Sequence, residues 1–445
     1  MSSPIRHPHS ISNNVSIKFI TIALIGLALL IPAGLIQNLI DERNQRQDEA
    51  VNDIASKWGA QQCILGPVVE IPLIRNLRSK EGSVYSQKTA LTVLPESLEI
   101  VASLDPQIRY RGIYEAVLYS SETTLKGTFQ IPSDSDIDLH QQLFLDQAII
   151  HLGITDLSGI QKSVEATIAG TKQTLEPGTL QNIKGTGVQF KLAHLELNQS
   201  FTFEIKLTLN GNQRIDFAPV GKSTSVQLSA PWSTPSFDGN FLPTVREVSE
   251  DGFTAKWNVL YYNRDFPQHW IGPEQSPANA RFGVNLLVPA NVYQQATRTT
   301  KYAHLFILFT FVGFFLTEII RRERVHPVQY LLIGASLILF YTLLISLSEH
   351  SSFGIAYLIA AASTIALISF YSANILGKTS LGIFTSIALT VLYAYAYMLL
   401  QLEDFSLLLG SIALFLLLAL FMFLTRKIDW YSISKSTDPD SNHQD

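Results

Sequence analysis

The stretch FITIALIGLALLIPAGLIQNLI (Phe19 to Ile40) decides what kind of protein this sequence encodes. It contains about 22 residues without a charged side chain, and a helix of that length rises about 33 Å, enough to cross the hydrocarbon of a bilayer. The apolar run of a cleaved signal peptide is shorter, and Ile31 stands where a cleavage site needs a small residue. We therefore expect an uncleaved membrane anchor.

Five further apolar runs follow in the C-terminal part of the chain, each about 19 to 20 residues long. They are Tyr302–Ile320, Val328–Leu347, Phe353–Tyr371, Leu381–Leu400 and Ser406–Thr425. Short connectors make neighbouring helices antiparallel. The sequence thus predicts six transmembrane α-helices, one N-terminal and five C-terminal.

The charges on the connectors predict the orientation of the helices. Basic residues occupy alternate connectors: RRERVHP (321–327), Lys378, and Arg426 with Lys427. The other two connectors carry acidic residues and no Lys or Arg. Because basic connectors face the cytoplasm, we expect both termini inside and the long segment after the first anchor outside. The predicted domains are a cytoplasmic tail (1–17), the N-terminal anchor (18–40), an outer domain (41–300), a five-helix bundle (301–427) and a second cytoplasmic tail (428–445).

Three ionisable residues close to the predicted spans are candidates for proton chemistry. Glu349 and His350 follow the third span directly, at the outer headgroup level, where a charge costs little. A solvated turn and a proton-responsive pair both fit there, since histidine titrates near pH 6.5, about the physiological range. Glu318 lies one turn before Arg321 and Arg322, a spacing that favours an ion pair on one helix face; an ion-pathway role stays open.

The outer segment changes to the pattern of β-strands. FTFEIKLTLN (201–210) alternates apolar and polar residues, and STSVQLSA (223–230) repeats that period of two. In the first of these, one face is apolar: Phe201, Phe203, Ile205, Leu207 and Leu209. The residues at 40–58 instead predict a helix that continues the anchor outward. We expect a large, mainly β, sandwich-like extracytoplasmic domain.

Motifs for catalysis or metal binding are missing from this segment. The sequence has no Gly-rich phosphate loop, no G-x-S-x-G elbow and no H-E-x-x-H pair. Cys63 is the only cysteine, which excludes an internal disulfide and a cysteine metal cluster, and we expect a buried, inert thiol. We predict no catalytic residues, no metal site and no cofactor. A net charge of −5 without a basic cluster argues against nucleic acid as a partner.

The stretch from Pro231 to Asn263 is dense in aromatic residues that alternate with Pro and Gly. Two interpretations remain open. The rings could pin turns inside a core, or they could form an exposed recognition surface. The candidate contact surface consists of Trp232, Phe237, Phe241, Arg246, Glu247 and Trp257.

The sequence resembles the CreD family of bacterial inner-membrane proteins from the first anchor to Tyr431. The motifs that carry the resemblance are LGPVVEIP (65–72), LPE (94–96), PSFDGNFLPTVREVSEDGFTAKW (235–257), TKYAHLFILFTFVGFFLTE (300–318), HPVQYLLIGASLILFYTLLISLSEH (326–350) and FLTRKIDWY (423–431). The resemblance implies a multi-pass inner-membrane protein with a large periplasmic domain, expressed under a two-component regulator and linked to tolerance of colicins and β-lactams. It implies no catalytic residues.

Three functions are compatible with this sequence. The first is a non-catalytic protein of envelope integrity, whose periplasmic domain contacts an envelope protein or glycan while the helices lie in the lipid bilayer. The alternative is a transporter-like or proton-responsive membrane protein that uses Glu349, His350 and Glu318. An envelope enzyme is the third, because scattered residues can converge into a site that motif searches miss.

Overall fold

The computed structural model describes residues 15–78, 84–133, 141–179, 185–193, 195–287, 292–321, 325–375, 377–402 and 406–426. The chain folds into two compact units. One is Gln47–Pro289, here called the strand unit, and the other combines Met1–Arg46 with Ala290–Asp445, here called the helical unit.

Within the described residues, the strand unit contains two sheets. The first sheet has ten strands: β1 (Gln62–Arg78), β2 (Val84–Val93), β5 (Gln141–Leu143), β6 (Ile149–Ile154), β9 (Glu176–Thr179), β10 (Thr186–Lys191), β12 (Arg214–Phe217), β14 (Pro235–Gly239), β17 (His269–Ile271) and β18 (Phe282–Leu286). Its main order is β14-β18-β12-β1-β6-β10-β9, with β2 and β5 also on β1 and β17 on β2.

The second sheet has eight strands: β3 (Ser97–Arg111), β4 (Tyr114–Gln130), β7 (Glu165–Ile168), β8 (Thr171–Thr174), β11 (Ser200–Asn212), β13 (Ser223–Ala230), β15 (Val245–Val248) and β16 (Phe253–Leu260). Their order is β15-β16-β13-β3-β4-β11-β7-β8. β13 runs parallel to β3, and the other neighbours in this sheet are antiparallel. β15 is therefore one of the two edge strands.

One apolar core joins the two sheets. Ile64 and Ile150 of the first sheet and Leu207 and Val226 of the second belong to the same buried cluster. The predicted apolar face of β11 is buried in this core, because a strand with period two turns every second side chain inward. The alternation read from the sequence is thus confirmed, and the large, mostly β character of the segment follows from it.

The first helix, α1, runs from Val15 to Trp58, so the predicted helix at 40–58 does continue the anchor. Inside the strand unit, the C-terminal end of α1 packs on β4. Val51 contacts Ala116 and Leu118 in a small apolar cluster, and the indole N–H of Trp58 donates a hydrogen bond of 3.1 Å to the carbonyl oxygen of Tyr119. This packing fixes the direction of β4 relative to the helix.

The remaining helices belong to the helical unit. They are α2 (Val292–Lys301), α3 (Ala303–Arg321), α4 (Pro327–Ser348), α5 (Phe353–Ile375), α6 (Thr379–Gln401) and α7 (Ser406–Thr425). Among the described residues, α1, α4, α5 and α6 are long and apolar enough to cross a membrane. The pair α2 and α3, bent by 42°, would make a fifth span, and α7 contributes a shorter apolar stretch, Leu408–Phe423. Six spans therefore stay a prediction.

The interior of the helical unit is aromatic. Phe340 of α4 lies at the centre, with ring centroids 4.8 Å from Tyr393, 4.9 Å from Tyr341 and 5.4 Å from Tyr357. Large apolar side chains elsewhere on these helices, such as Phe370, are exposed. An apolar outer surface around a packed interior is the pattern of helices that face lipid.

Candidate functional site

The edge strand β15 presents the most exposed part of the candidate contact surface. All four of its residues are exposed, including Arg246 and Glu247. Val245 keeps 52% of its accessible surface, and Leu242, just before the strand, keeps 72%. In the described part of the chain, β15 pairs with β16 alone. The other edge of β15 is thus open to a partner strand.

The hydrogen-bond pattern shows which backbone groups face that open edge. Ser249 N–H donates to the carbonyl oxygen of Gly252 at the turn between β15 and β16. N–H groups of an antiparallel strand point alternately to its two sides. Glu247 therefore directs its N–H toward β16, whereas Arg246 and Val248 direct theirs away from it. These outward groups are what an added strand would pair with.

Among the aromatic members of the candidate surface, Trp257 is buried, whereas Trp232, Phe237 and Phe241 are half-buried and pack against the same core. Trp257 is fully buried, with ring centroids 5.7 Å from Phe237 and 5.5 Å from Phe282. Its indole N–H donates to the carbonyl oxygen of Phe241 at 3.2 Å. Trp232 is half-buried and donates to the carbonyl oxygen of Leu287 at 3.1 Å.

The rings of β14 and β16 are thus turn-pinning core residues, as the first of the two interpretations proposed. The physical reason is that β14 pairs with β18 in one sheet and β16 with β13 in the other, so the rings of both strands meet between the sheets. Of the six residues predicted, Arg246 and Glu247 remain as an exposed pair.

A shallow recess of about 490 Å³ adjoins the C-terminal end of β15. Glu247, Thr254, Ser229 and Ser103 line it, each from a different strand. These residues are direct cross-strand partners, Glu247 with Thr254, Thr254 with Ser229 and Ser229 with Ser103, so they share the outer face of the second sheet. With Asp251 at the turn also lining it, the recess offers hydroxyl groups and two carboxylates beside the open edge.

A charged cluster links β12 and β14 of the first sheet. Asp216 is buried and pairs with Arg214 at 2.8 Å, and Arg214 also reaches Asp238 at 2.8 Å. Burial raises the pKa of Asp216 above its ordinary value, opposed by its hydrogen bonds and charge attraction to Arg214. The neighbouring thiol of Cys63 is half-buried; burial and the charge of Asp216 raise its pKa to about 12, as expected of an unreactive thiol.

Glu349, at the end of α4, contacts a tyrosine and an arginine side chain. Tyr293 OH donates to its Oε1 at 3.2 Å, and Arg43 of α1 lies 3.6 Å from the same oxygen. Only 11% of the Glu349 side chain is accessible to solvent, so Glu349 is not part of a solvated turn. His350 does fit that description, since it is exposed and its Nδ1 lies 3.2 Å from the carbonyl oxygen of Ser346.

Glu318 has a comparable set of partners near the other end of α4. It forms an ion pair with Lys18 of α1, Tyr330 OH donates to its Oε2 at 3.1 Å, and Val325 N–H lies 3.4 Å from its Oε1. The expected pairing with Arg321 and Arg322 falls on side chains outside the described residues. The partner in the structure, Lys18, lies 300 positions away in the sequence, so no local spacing could predict it.

The helical unit therefore keeps Glu318 apart from Glu349 and His350. Tyr330 contacts Glu318 while Glu349 follows the end of α4, and the 19 residues between them rise about 28 Å in a helix. Each acid takes one basic residue of α1 and one tyrosine hydroxyl. Such paired acids fix the axial position of α1 against the bundle at two levels.

Among the residues that the structure describes, no three His, Cys, Asp or Glu side chains cluster as metal ligands would. His151 is buried in the first sheet, with its Nε2 3.4 Å from the carbonyl oxygen of Gly178. Burial lowers the pKa of His151 to about 4, which keeps the ring neutral near pH 7.

Comparison with known proteins gives a match along nearly the whole chain. Residues 14–431 match the family described as inner membrane protein CreD. The inner membrane protein CreD of Escherichia coli strain K12 is 34% identical over 417 residues, which cover 92% of each chain. Among solved structures, an M1 zinc metallopeptidase from Deinococcus radiodurans is 10% identical with a TM-score of 0.22, covering 48% of this chain and 54% of that one. A TM-score that low carries no structural argument.

Proposed function

Because this chain belongs to the CreD family of inner membrane proteins, we propose that it supports the integrity of the cell envelope and tolerance of envelope-active agents such as colicins and β-lactams. The family match places it among inner-membrane proteins and indicates no catalytic activity. In this proposal the protein acts without catalysis, with its strand unit in the periplasm and both termini in the cytoplasm.

The observation that carries the proposal is the open edge of β15. Its four exposed residues, of which Arg246 and Val248 direct their N–H groups outward, form a template for an extended segment of another protein. Arg246 and Glu247 protect that edge from unspecific pairing, because charges on an edge strand select against partners that do not complement them. An envelope protein with an extended, charged segment is the partner that this chemistry fits.

Complementation of a strain that lacks this protein tests the proposal. The strain is challenged with a β-lactam or colicin while it expresses wild-type protein or the Arg246→Ala, Glu247→Ala double variant at matched membrane levels. The matched control is Glu165→Ala with Lys172→Ala, an exposed ion pair at the opposite edge of the same sheet. We expect lost tolerance for the first pair and wild-type tolerance for the second; equal tolerance for both would overturn the proposed edge contact.

The contacts of the acidic residues bear on the alternative, a proton-responsive membrane protein. Glu318 and Glu349 already have a basic and a phenolic partner each, which suits structural ion pairs better than a proton path. Loss of tolerance in a stable, fully inserted Glu349→Gln variant, with the β15 variants unaffected, would favour that alternative.

A further inference from the structure

The open edge of β15 has a definite order of side chains, and this order limits which strand can pair with it. Val245, Arg246, Glu247 and Val248 follow one another and are all exposed. In an antiparallel pair, two directly opposite residues either exchange both backbone hydrogen bonds or exchange none. Arg246 and Val248 direct their N–H groups outward, so each of them needs an opposite residue whose own N–H points back at β15.

The same strand of a second copy of this chain does not fit the edge. An interface with a two-fold axis pairs residue i with residue j and residue j with residue i. Because opposite residues must share one backbone orientation, the axis passes through a residue and cannot pass between Arg246 and Glu247. The registers that pair most of the strand therefore place Arg246 opposite Arg246 or Glu247 opposite Glu247. Like charges directly opposite are destabilising, so the edge selects a different chain.

The two faces of β15 differ in what lies beside the edge. Glu247 is directly opposite Thr254, and both line the recess of about 490 Å³ on the outer face of the second sheet. Asp251, at the turn, adds a second carboxylate to that recess. Arg246 projects from the other face, where its neighbour on β16 is the buried Ala255. A partner side chain opposite Glu247 therefore meets two carboxylates, and one opposite Arg246 meets a guanidinium.

We propose that β15 binds an antiparallel strand of another protein that reads, from its N-terminal end, apolar, basic, acidic, apolar. The apolar residues lie opposite Val248 and Val245, which keep 49% and 52% of their accessible surface. The basic residue, a lysine or arginine, lies opposite Glu247 and extends its long side chain into the recess, and the acidic residue lies opposite Arg246. This inference rests on the proposed edge contact and adds to it the direction and the charge order of the partner.

Two short peptides test this order on the full chain in detergent. One is Thr-Val-Lys-Glu-Val-Thr, and the other, Thr-Val-Glu-Lys-Val-Thr, has the same composition with the two charges exchanged. Each carries a fluorophore at its N-terminus, and fluorescence anisotropy gives its dissociation constant. Because both cross-strand charge pairs change from attraction to repulsion, we expect the first peptide to bind about tenfold more tightly. That difference should shrink in about 1 M salt, since the pairs lie at the surface.

An exchange of the charges on the protein is the matched variant. Arg246→Glu with Glu247→Arg keeps the composition of the edge and should reverse the preference between the two peptides. The control, Glu165→Lys with Lys172→Glu, exchanges an exposed ion pair at the opposite edge of the same sheet and should keep the wild-type preference. Thermal unfolding checks that both variants are folded.

Three results would each overturn the proposed charge order: equal binding of the two peptides, binding of neither, or a preference that survives the exchange at Arg246 and Glu247. Tighter binding of the second peptide to wild-type protein would indicate a parallel partner and overturn the direction. Disulfide cross-linking of two copies through Arg246→Cys in a Cys63→Ser background would assign the edge to a second copy. Lost tolerance in the Arg246→Ala, Glu247→Ala variant would still support the edge contact in these cases, so the inference and the proposed function fail separately.

Discussion

Replacing Trp257 with alanine should lower the unfolding temperature of the strand unit and leave its exposed surface unchanged. The indole is fully buried between Phe237 and Phe282 and donates its N–H to Phe241. Removing a buried tryptophan side chain costs about 3–5 kcal/mol, and the Phe241 carbonyl oxygen loses its donor as well. For a unit of this length, that loss lowers Tm by roughly 6–20 °C.

Thermal unfolding of the full chain in detergent, followed by the fluorescence of Trp58, Trp232 and Trp270 in the strand unit, measures this loss. Trp257→Phe keeps a ring in the core and should lose roughly half as much. Arg246→Ala is the exposed control and should stay within about 0.5 kcal/mol of wild type. If Trp257→Ala unfolded at the same temperature as the wild-type protein, Trp257 would not be a core residue and the aromatic contact surface would have to be reconsidered.

Three further predictions concern single side chains. Glu318→Leu should cost the helical unit about 3 kcal/mol, because the half-buried Lys18 loses its counter-charge. Adding Lys18→Met should recover part of that loss in a double-mutant cycle of thermal stabilities, and additive losses would contradict the pairing. Cys63 should react with a disulfide reagent at pH 8 about a hundredfold more slowly than a free cysteine until the protein unfolds, since burial raises its pKa to about 12. His151, whose pKa burial lowers from 6.5 to about 4, binds its proton more weakly in the folded than in the unfolded chain. Stability is then full above about pH 6.5 and falls by up to roughly 3 kcal/mol toward pH 4, and His151→Gln should flatten that part of the profile of Tm against pH.

Local patterns were enough to predict some elements of this fold. The apolar face of β11 and the helix ends around Glu349 follow from periodicity and length, which the chain carries in a few adjacent residues. The partners of Glu318 and Glu349 could not be predicted in this way. Lys18 and Arg43 reach them from α1, about 300 residues away in the sequence, and only the packing of the bundle brings them together.

The packing of the aromatic part of the candidate contact surface could not be predicted for a similar reason. Trp257 and Phe237 have the composition of a recognition surface, but their strands belong to different sheets and their rings meet inside. The exposure of Arg246 and Glu247 depends on β15 being an edge strand. Strand order is a property of the whole sheet, so a sequence pattern could suggest the residues but not their position at the edge.

The central claim, that the open edge of β15 contacts an envelope partner, is tested most directly with proline at position 248. Val248 directs its N–H away from β16, so Val248→Pro removes a donor from the open edge and leaves the pairing with β16 in place. Survival under a β-lactam or colicin challenge is measured at matched protein levels, with thermal unfolding as the control for folding. We predict unchanged folding and lost tolerance. Full tolerance of the folded variant would contradict the claim.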